Sequence, residues 1–371
     1  MSAPRATSPR RRLRLPAWTA VVPVLAVIAL GATWGSKPPA AILAIIGVLL
    51  VGAVLAAVHH AEVVAHRVGE PLGSLVLAVA VTVIEVALIV TLMVSGDAKT
   101  ATLARDTVFA AVMITCNGIV GAAVLVDALR RRVATFNAEG TATALATVAT
   151  LATLSLVLPR FTTSRPGAEF SGAQLAFAAI ASLVLYGLFV FVQTVRHRDY
   201  FLPVGDGTPD VDEVHAAPPP SSRALASLLL LLVALVAVVG LAKIESPAIE
   251  DAVDAAGAPQ SAVGVVIALL VLAPETLAAV RNAMRGRVQT SLNLAFGSAM
   301  ASIGLTIPAI AVASIWLDGP LVLGLGSTQI VLLAITVVVG ALSVLPGRAT
   351  VQEGGVHLAL CAAFLFLAVN P

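Results

Sequence analysis

Long apolar runs are the feature that most constrains the fold of this chain. Scanning for apolar stretches of about 17–25 residues predicts eleven membrane spans, at residues 15–34, 39–58, 71–94, 106–126, 140–159, 172–194, 224–242, 261–280, 289–314, 320–345 and 355–370. Only 11% of the residues are charged, whereas a soluble domain carries about 25%. Because a water-soluble fold could not bury so much apolar side chain, we predict an all-α polytopic membrane protein.

The basic residues predict the orientation of these spans. With a cytoplasmic N-terminus and alternating spans, sixteen of the 22 Lys and Arg residues fall on the cytoplasmic side and six on the other. Cytoplasmic loops carry such an excess of Lys and Arg. The basic residues lie in short clusters between apolar runs, so we expect membrane lipid and inorganic cations as partners, and no nucleic acid.

The longest polar stretch divides the chain. Residues 196–223 contain several acids and three consecutive prolines, which is typical of a linker. We therefore predict five segments. They are a cytoplasmic basic N-terminal tail (1–14), an extra first transmembrane helix (15–38), a first five-helix repeat (39–195), a cytoplasmic acidic, proline-rich linker (196–223) and a second five-helix repeat (224–371). A five-helix unit repeated once has its two copies in opposite orientations, as in many secondary transporters.

Two glutamates occupy equivalent positions in the two predicted repeats. Glu85 lies on the second helix of the first unit and Glu275 on the second helix of the second. Aligning them also pairs four apolar identities, which are common by chance in membrane helices. An acid at the centre of a membrane helix costs about 2.5–3.5 kcal/mol. A purely structural protein has little reason to retain two, and we predict that both meet near the bilayer midplane as functional groups.

Two buried carboxyl groups suit a cation that competes with protons. Ca²⁺ takes 6–8 oxygen ligands from carboxylates, carbonyls and amides and tolerates irregular geometry. Burial in a low-dielectric medium favours the protonated form of a carboxyl group. Cation and protons then compete for the same oxygens, which is a direct physical route to antiport without a separate proton site.

Two carboxylates supply at most four oxygens, so further ligands are needed. Thr82 precedes the first glutamate by three residues and shares its helix face. On the following helices Asn117 and Ser298 are candidate helper ligands, with Asn293 and Ser302 behind them. Each has an alternative role, because Ser, Thr and Asn side chains often mediate helix packing in membranes.

The residues around both glutamates resemble a known family. Residues 69–74 (GEPLGS) and 81–85 (VTVIE) are similar to the first alpha-repeat of bacterial calcium/proton antiporters in the calcium/cation antiporter superfamily. Pro274-Glu275 and residues 289–299 (QTSLNLAFGSA) resemble the second. The resemblance implies an exchanger in the bacterial cytoplasmic (inner) membrane that extrudes Ca²⁺ against H⁺ entry without a cofactor, with Glu85 and Glu275 as shared metal and proton ligands.

The sequence departs from the commoner Gly-Asn-Ala-x-Glu form of that family. Val81-Thr82-Val83-Ile84 precedes the first glutamate and Leu272-Ala273-Pro274 the second. Two amide ligands are thereby missing, which weakens the case for calcium more than the case for cation/proton exchange. A Na⁺/H⁺ or K⁺/H⁺ antiporter of the same fold is therefore the alternative.

Two further classes of membrane protein are disfavoured. An intramembrane enzyme needs a Ser/His, Asp/Asp or metal constellation at membrane depth. The histidines are predicted at span edges or in loops, and only His357 begins a span, so we expect no enzyme. A channel is disfavoured because buried, proton-titrating acids fit alternating access better than an open pore.

Overall fold

The structure, a computed structural model, describes residues 17–69, 72–95, 101–204, 219–316 and 319–371. Within these ranges eleven helices correspond one for one to the predicted spans: α1 (Ala17–Thr33), α2 (Ala40–Val68), α3 (Leu72–Ser95), α4 (Leu103–Arg131), α5 (Ala138–Arg160), α6 (Gly172–Arg196), α7 (Ser221–Ala255), α8 (Ser261–Met284), α9 (Val288–Ala313), α10 (Ser327–Val344) and α11 (Val351–Val369). Ten are long and apolar enough to cross a membrane, and α1, with 17 residues, is at the lower length limit. The predicted all-α polytopic fold is confirmed.

Several helix ends differ from the prediction. α2 continues to Val68 instead of residue 58, and α7 covers Ser221–Ala255 instead of 224–242. Hydropathy alone ends a span at its first polar residues, whereas backbone hydrogen bonding continues through them. His59 and His60 therefore lie inside α2, and the prediction that these histidines lie at a span edge is wrong. Pro308 lies within α9 without interrupting it.

Contacts between the connecting segments fix their relative sides. Strand β1 (Ala134–Thr135), after α4, pairs with β2 (Arg348–Ala349), after α10. Six helices separate the two strands, so an even number of crossings returns the chain to the same side. On the opposite side Glu169 forms a bridge with Val322, with four helices between them. We call the side that carries β1 and β2 the Arg-rich side. It is the predicted cytoplasmic side.

α4 and α9 form the centre of the molecule, and α1 packs on its periphery against α2 and α7. α8 approaches α4 closely at Gly264. A Cβ added there would lie 2.8 Å from the backbone nitrogen of Thr107 and 2.9 Å from the carbonyl carbon of Asp106. α4 also contains a π-helical turn at Ile114–Ile119, a feature that often occurs at functional sites.

The end of the first half is attached to the core. After α6, a 3₁₀ turn at Arg198–Phe201 brings the Phe201 carbonyl within 2.6 Å of Asn293 Nδ2, which donates to it. The Phe201 ring packs edge-on against Phe189. Of the predicted linker, residues 196–223, the part from 205 to 218 with Asp206, Asp210, Asp212 and Glu213 lies outside the described residues, as does the predicted basic tail.

Candidate functional site

A cavity of about 360 Å³ lies between α3, α6, α8 and α9. Both predicted glutamates line it, together with the predicted helpers Thr82 and Ser298. Its other polar residues are Tyr186, Gln193, Thr290, Asn293 and Ser302. On α9 the lining begins at Thr290, two residues after that helix starts on the Arg-rich side. The cavity therefore extends from the Arg-rich ends of the helices to the two carboxyl groups.

α3 and α8 turn the same face towards the cavity. The α3 lining residues are 77, 78, 81, 82 and 85, and the α8 residues are 268, 271, 272 and 275. With the glutamates aligned, all four α8 positions coincide with lining positions on α3. The spacing is that of one helix face, so two oppositely directed helices contribute matched surfaces around the glutamates.

α9 supplies the polar wall of the cavity. Its lining residues recur every three or four positions along one stripe, namely Thr290, Asn293, Leu294, Gly297, Ser298, Ala301 and Ser302. In the described part of the chain, an added Cβ at Gly297 would meet no atom within 4 Å, so the wall is open there. Small and hydroxyl-bearing residues leave space and oxygen atoms next to the carboxyl groups.

The two carboxyl groups have different surroundings. Glu85 is 3% exposed and its Oε1 accepts a hydrogen bond of 2.6 Å from Ser302 Oγ. Glu275 is 8% exposed, and its Oε2 has no hydrogen-bond partner among the described residues. The same holds for the buried Thr82 hydroxyl within the described part of the chain. Burying an unpaired polar atom costs free energy, so these oxygens are available to a ligand.

Electrostatic interactions connect Glu275 to Glu85 and to Glu62 of α2. Glu62 also interacts with Arg281. The short predicted span placed Glu62 beyond the helix end. Because α2 extends to Val68, Glu62 is helical and interacts electrostatically with Glu275. Sequence analysis missed this acid, as well as Gln193 and Thr290. The three-to-four spacing on α9 could have indicated Thr290.

Asn117 is not among the residues that line the cavity. Its Nδ2 donates to Thr336 Oγ1 at 2.9 Å and its Oδ1 lies 3.2 Å from His357 Nδ1. His357 Nε2 lies 3.2 Å from the Ser343 hydroxyl. His357 is buried seven residues into α11 and does not begin the helix, contrary to the predicted span. This network joins α4, α10 and α11 and engages both polar atoms of the Asn117 side chain. We therefore do not propose Asn117 as a cation ligand.

No group of three or more His, Cys, Asp or Glu side chains with metal-site geometry occurs among the described residues. A cation in the cavity would therefore be held by two carboxylates and neutral oxygens. Glu85, Glu275, Thr82, Ser298 and Ser302 offer up to seven side-chain oxygens, within the range of about 6–8 that Ca²⁺ takes.

A second cavity, of about 250 Å³, lies on the opposite side of the molecule. Its lining includes Asp106, Ser261 and Gln329, from the first turns of α4, α8 and α10, and residues near the end of α11. Both carboxylate oxygens of Asp106 accept hydrogen bonds, Oδ2 from Thr102 and Oδ1 from Arg105 and Gln329. The two cavities approach the middle of the bundle from opposite sides.

The profile of the family described as "Sodium/calcium exchanger protein" matches residues 39–195 and 226–370. The "Putative ionic transporter y4hA" of Sinorhizobium fredii (strain NBRC 101917 / NGR234) is 44% identical over 369 residues, which cover 97% of this chain and 98% of that protein. The "Sodium-potassium/proton antiporter ChaA" of Escherichia coli (strain K12) is 35% identical over 351 residues, covering 93% and 94%.

A solved structure shares the fold. The H⁺/Ca²⁺ exchanger CAX superimposes with a TM-score of 0.69 at 15% identity, covering 94% of this chain and 91% of that one. At that identity the likeness concerns the arrangement of the helices alone.

Proposed function

The chain belongs to the sodium/calcium exchanger protein family and is a multi-pass cation exchanger, not an enzyme, and on that basis we propose that it exchanges cytoplasmic Ca²⁺ for external H⁺ by alternating access. Glu85 and Glu275 are the shared cation and proton ligands, assisted by Thr82, Ser298 and Ser302. The observation that carries this proposal is that all five side chains line one cavity between the helices.

Charge balance supports a divalent cargo. Two ionised carboxylates in a cavity of low dielectric repel one another strongly. One Ca²⁺ cancels both charges, as do two protons, so each loaded state of the site is neutral. When the protein switches from access on one side of the membrane to access on the other, a neutral site costs less free energy than a charged site.

The two cavities support alternating access. The larger reaches the carboxyl groups from the Arg-rich side, and the smaller begins at the opposite ends of α4, α8, α10 and α11. The matched faces of α3 and α8, and the two segments that the family profile matches, support two inverted five-helix repeats. With Arg-rich loops in the cytoplasm, the protein would lie in a bacterial inner membrane with its N-terminus inside.

One observation favours a second candidate. A relative at 35% identity over most of the chain is a sodium-potassium/proton antiporter. Two Na⁺ or K⁺ ions, or one together with a proton, would also neutralise the carboxyl pair. Na⁺/H⁺ or K⁺/H⁺ exchange by the same site is therefore the alternative.

Cation flux in proteoliposomes tests both candidates. With an imposed pH gradient we expect Ca²⁺ uptake coupled to proton release, lost when a protonophore collapses the gradient. Na⁺ and K⁺ are assayed in the same vesicles, with empty liposomes as the control. Uptake of Na⁺ or K⁺ without Ca²⁺ would establish the alternative, and cation leakage without proton counterflow would contradict both.

Ser302→Ala is expected to weaken cation binding without abolishing exchange. The substitution removes the hydrogen bond to Glu85 Oε1 and one candidate ligand. Hydrogen bonds to charged groups contribute about 1.5–3 kcal/mol, so the KM for the cation should rise roughly tenfold or more, with a smaller change in maximal rate. Ser314→Ala, directly after the end of α9, serves as the control, because its hydroxyl donates to the local Ala311 carbonyl and Ser314 is not a lining residue of the cavity. An unchanged KM in Ser302→Ala would remove Ser302 from the ligand set.

A further inference from the structure

Two arginine-bearing segments meet at the Arg-rich end of the molecule. α4 ends in Arg130 and Arg131, followed by Arg132, and α8 ends beside Arg285. Arg130 Nη1 donates to the carbonyl of Met284. The Arg131 guanidinium lies directly against Gly286, in the space that a Cβ there would occupy. The end of α4 and the turn between α8 and α9 therefore form one continuous surface.

This surface, which we call the arginine patch, comprises Arg130, Arg131, Arg132 and Arg285, all exposed. The acid paired with it among the described residues is Asp127, 3.6 Å from Arg131. Positive charges on one surface repel one another, and the single carboxylate of Asp127 does not balance four guanidinium groups. The patch therefore attracts an external anion.

Exposed apolar side chains adjoin the patch. The exposed fractions are 66% for Leu129, 46% for Met284 and 36% for Val133. Each is next to an arginine in the chain. An anion in free solution would gain nothing from these neighbours. A phospholipid has both parts, a phosphate for the guanidinium groups and an acyl chain for the apolar side chains.

We propose that the arginine patch binds the headgroup of an anionic phospholipid. The patch lies where the helices leave the hydrocarbon core, which is the depth of the headgroup phosphates. Arginine binds phosphate through two parallel hydrogen bonds, and basic segments at this depth attract anionic lipids. The bound lipid ties the end of α4 to the α8–α9 turn and so stabilises the position of α8 and α9, two of the four helices that surround the cation cavity.

Lipid titration tests this site without any transport assay. Protein in an uncharged detergent is titrated with phosphatidylglycerol, and the rise in melting temperature is followed. Each arginine near the surface contributes about 1 kcal/mol to anionic-lipid binding, which corresponds to about fivefold in affinity. Arg132→Gln combined with Arg285→Gln should therefore raise the half-effective lipid concentration about 25-fold.

The matched control is Arg196→Gln combined with Arg198→Gln, two exposed arginines on the same side but outside the patch. It should respond to lipid like the wild type. The charge-retaining pair Arg132→Lys and Arg285→Lys should keep most of the response, and it guards against misfolding of the Gln variant. An equal loss in the control pair, or an unchanged response in the Gln pair, would overturn the proposal. Stabilisation by inorganic phosphate at similar concentration would assign the patch to a free anion instead.

Discussion

Glu85→Gln and Glu275→Gln are each expected to abolish cation-driven proton exchange while the protein still inserts and folds. Gln keeps the shape of the side chain and one carbonyl oxygen, but it cannot release a proton and so mimics a permanently protonated carboxyl group. If cation and proton share these oxygens, both activities disappear together. Proton movement in everted vesicles on addition of Ca²⁺, Na⁺ or K⁺ should fall to the background of vesicles without the protein.

The structure provides a matched control for this experiment. Glu245 of α7 is 8% exposed, the same as Glu275, but it does not line the cavity. Glu245→Gln should therefore keep most of the exchange activity. Glu62 is unsuitable as a control, because it interacts electrostatically with Glu275. Near-normal exchange by either cavity variant would refute the shared-carboxylate mechanism even though the family assignment would stand.

Gly264→Val is expected to cause a large loss of folded protein. The added Cβ would lie within 3 Å of backbone atoms of Thr107 and Asp106, and backbone cannot rotate away as a side chain can. α8 would have to separate from α4. Overpacking a close contact costs about 1–3 kcal/mol or more, which should appear as a lower melting temperature and a lower yield of monodisperse protein in detergent.

Gly187→Val is the control for Gly264→Val. Gly187 lies on α6, another membrane helix, and a Cβ there would meet no atom of the described residues within 4 Å. Val also has a higher helix propensity than Gly, so this variant should melt at or slightly above the temperature of the wild type. Equal melting temperatures for the two variants would show that α4 and α8 do not depend on the close approach at Gly264.

The number and type of the helices could be predicted from the sequence because the bilayer makes each span apolar and about 20 residues long. The eleven predicted spans correspond one for one to the helices of the described residues. The ends were predicted less well. α2 runs ten residues past its predicted end through His59, His60 and Glu62, because helical hydrogen bonding does not stop where hydropathy falls.

The free-energy cost of placing polar groups in lipid, which identifies the spans, also identifies the two glutamates. Glu85 and Glu275 interrupt long apolar runs, and an acid there is expensive enough to be noticed in the sequence. The polar residues around them carry no such signal. Ser, Thr and Asn are tolerated in membrane helices for packing, so the sequence could not separate Ser298, which lines the cavity, from Asn117, which bonds to His357 and Thr336.

The sequence by itself therefore determined the class of the protein, the helix count and the two acids, because each follows from the cost of placing groups in lipid. Only the tertiary structure decided which neutral oxygens surround the acids and how the helix ends meet. Ser302 contacts Glu85 across 217 positions of sequence, and Arg130 contacts Met284 across 154. Such contacts depend on the rotation and approach of whole helices, which are set by packing at residues such as Gly264 and leave no local pattern in the chain.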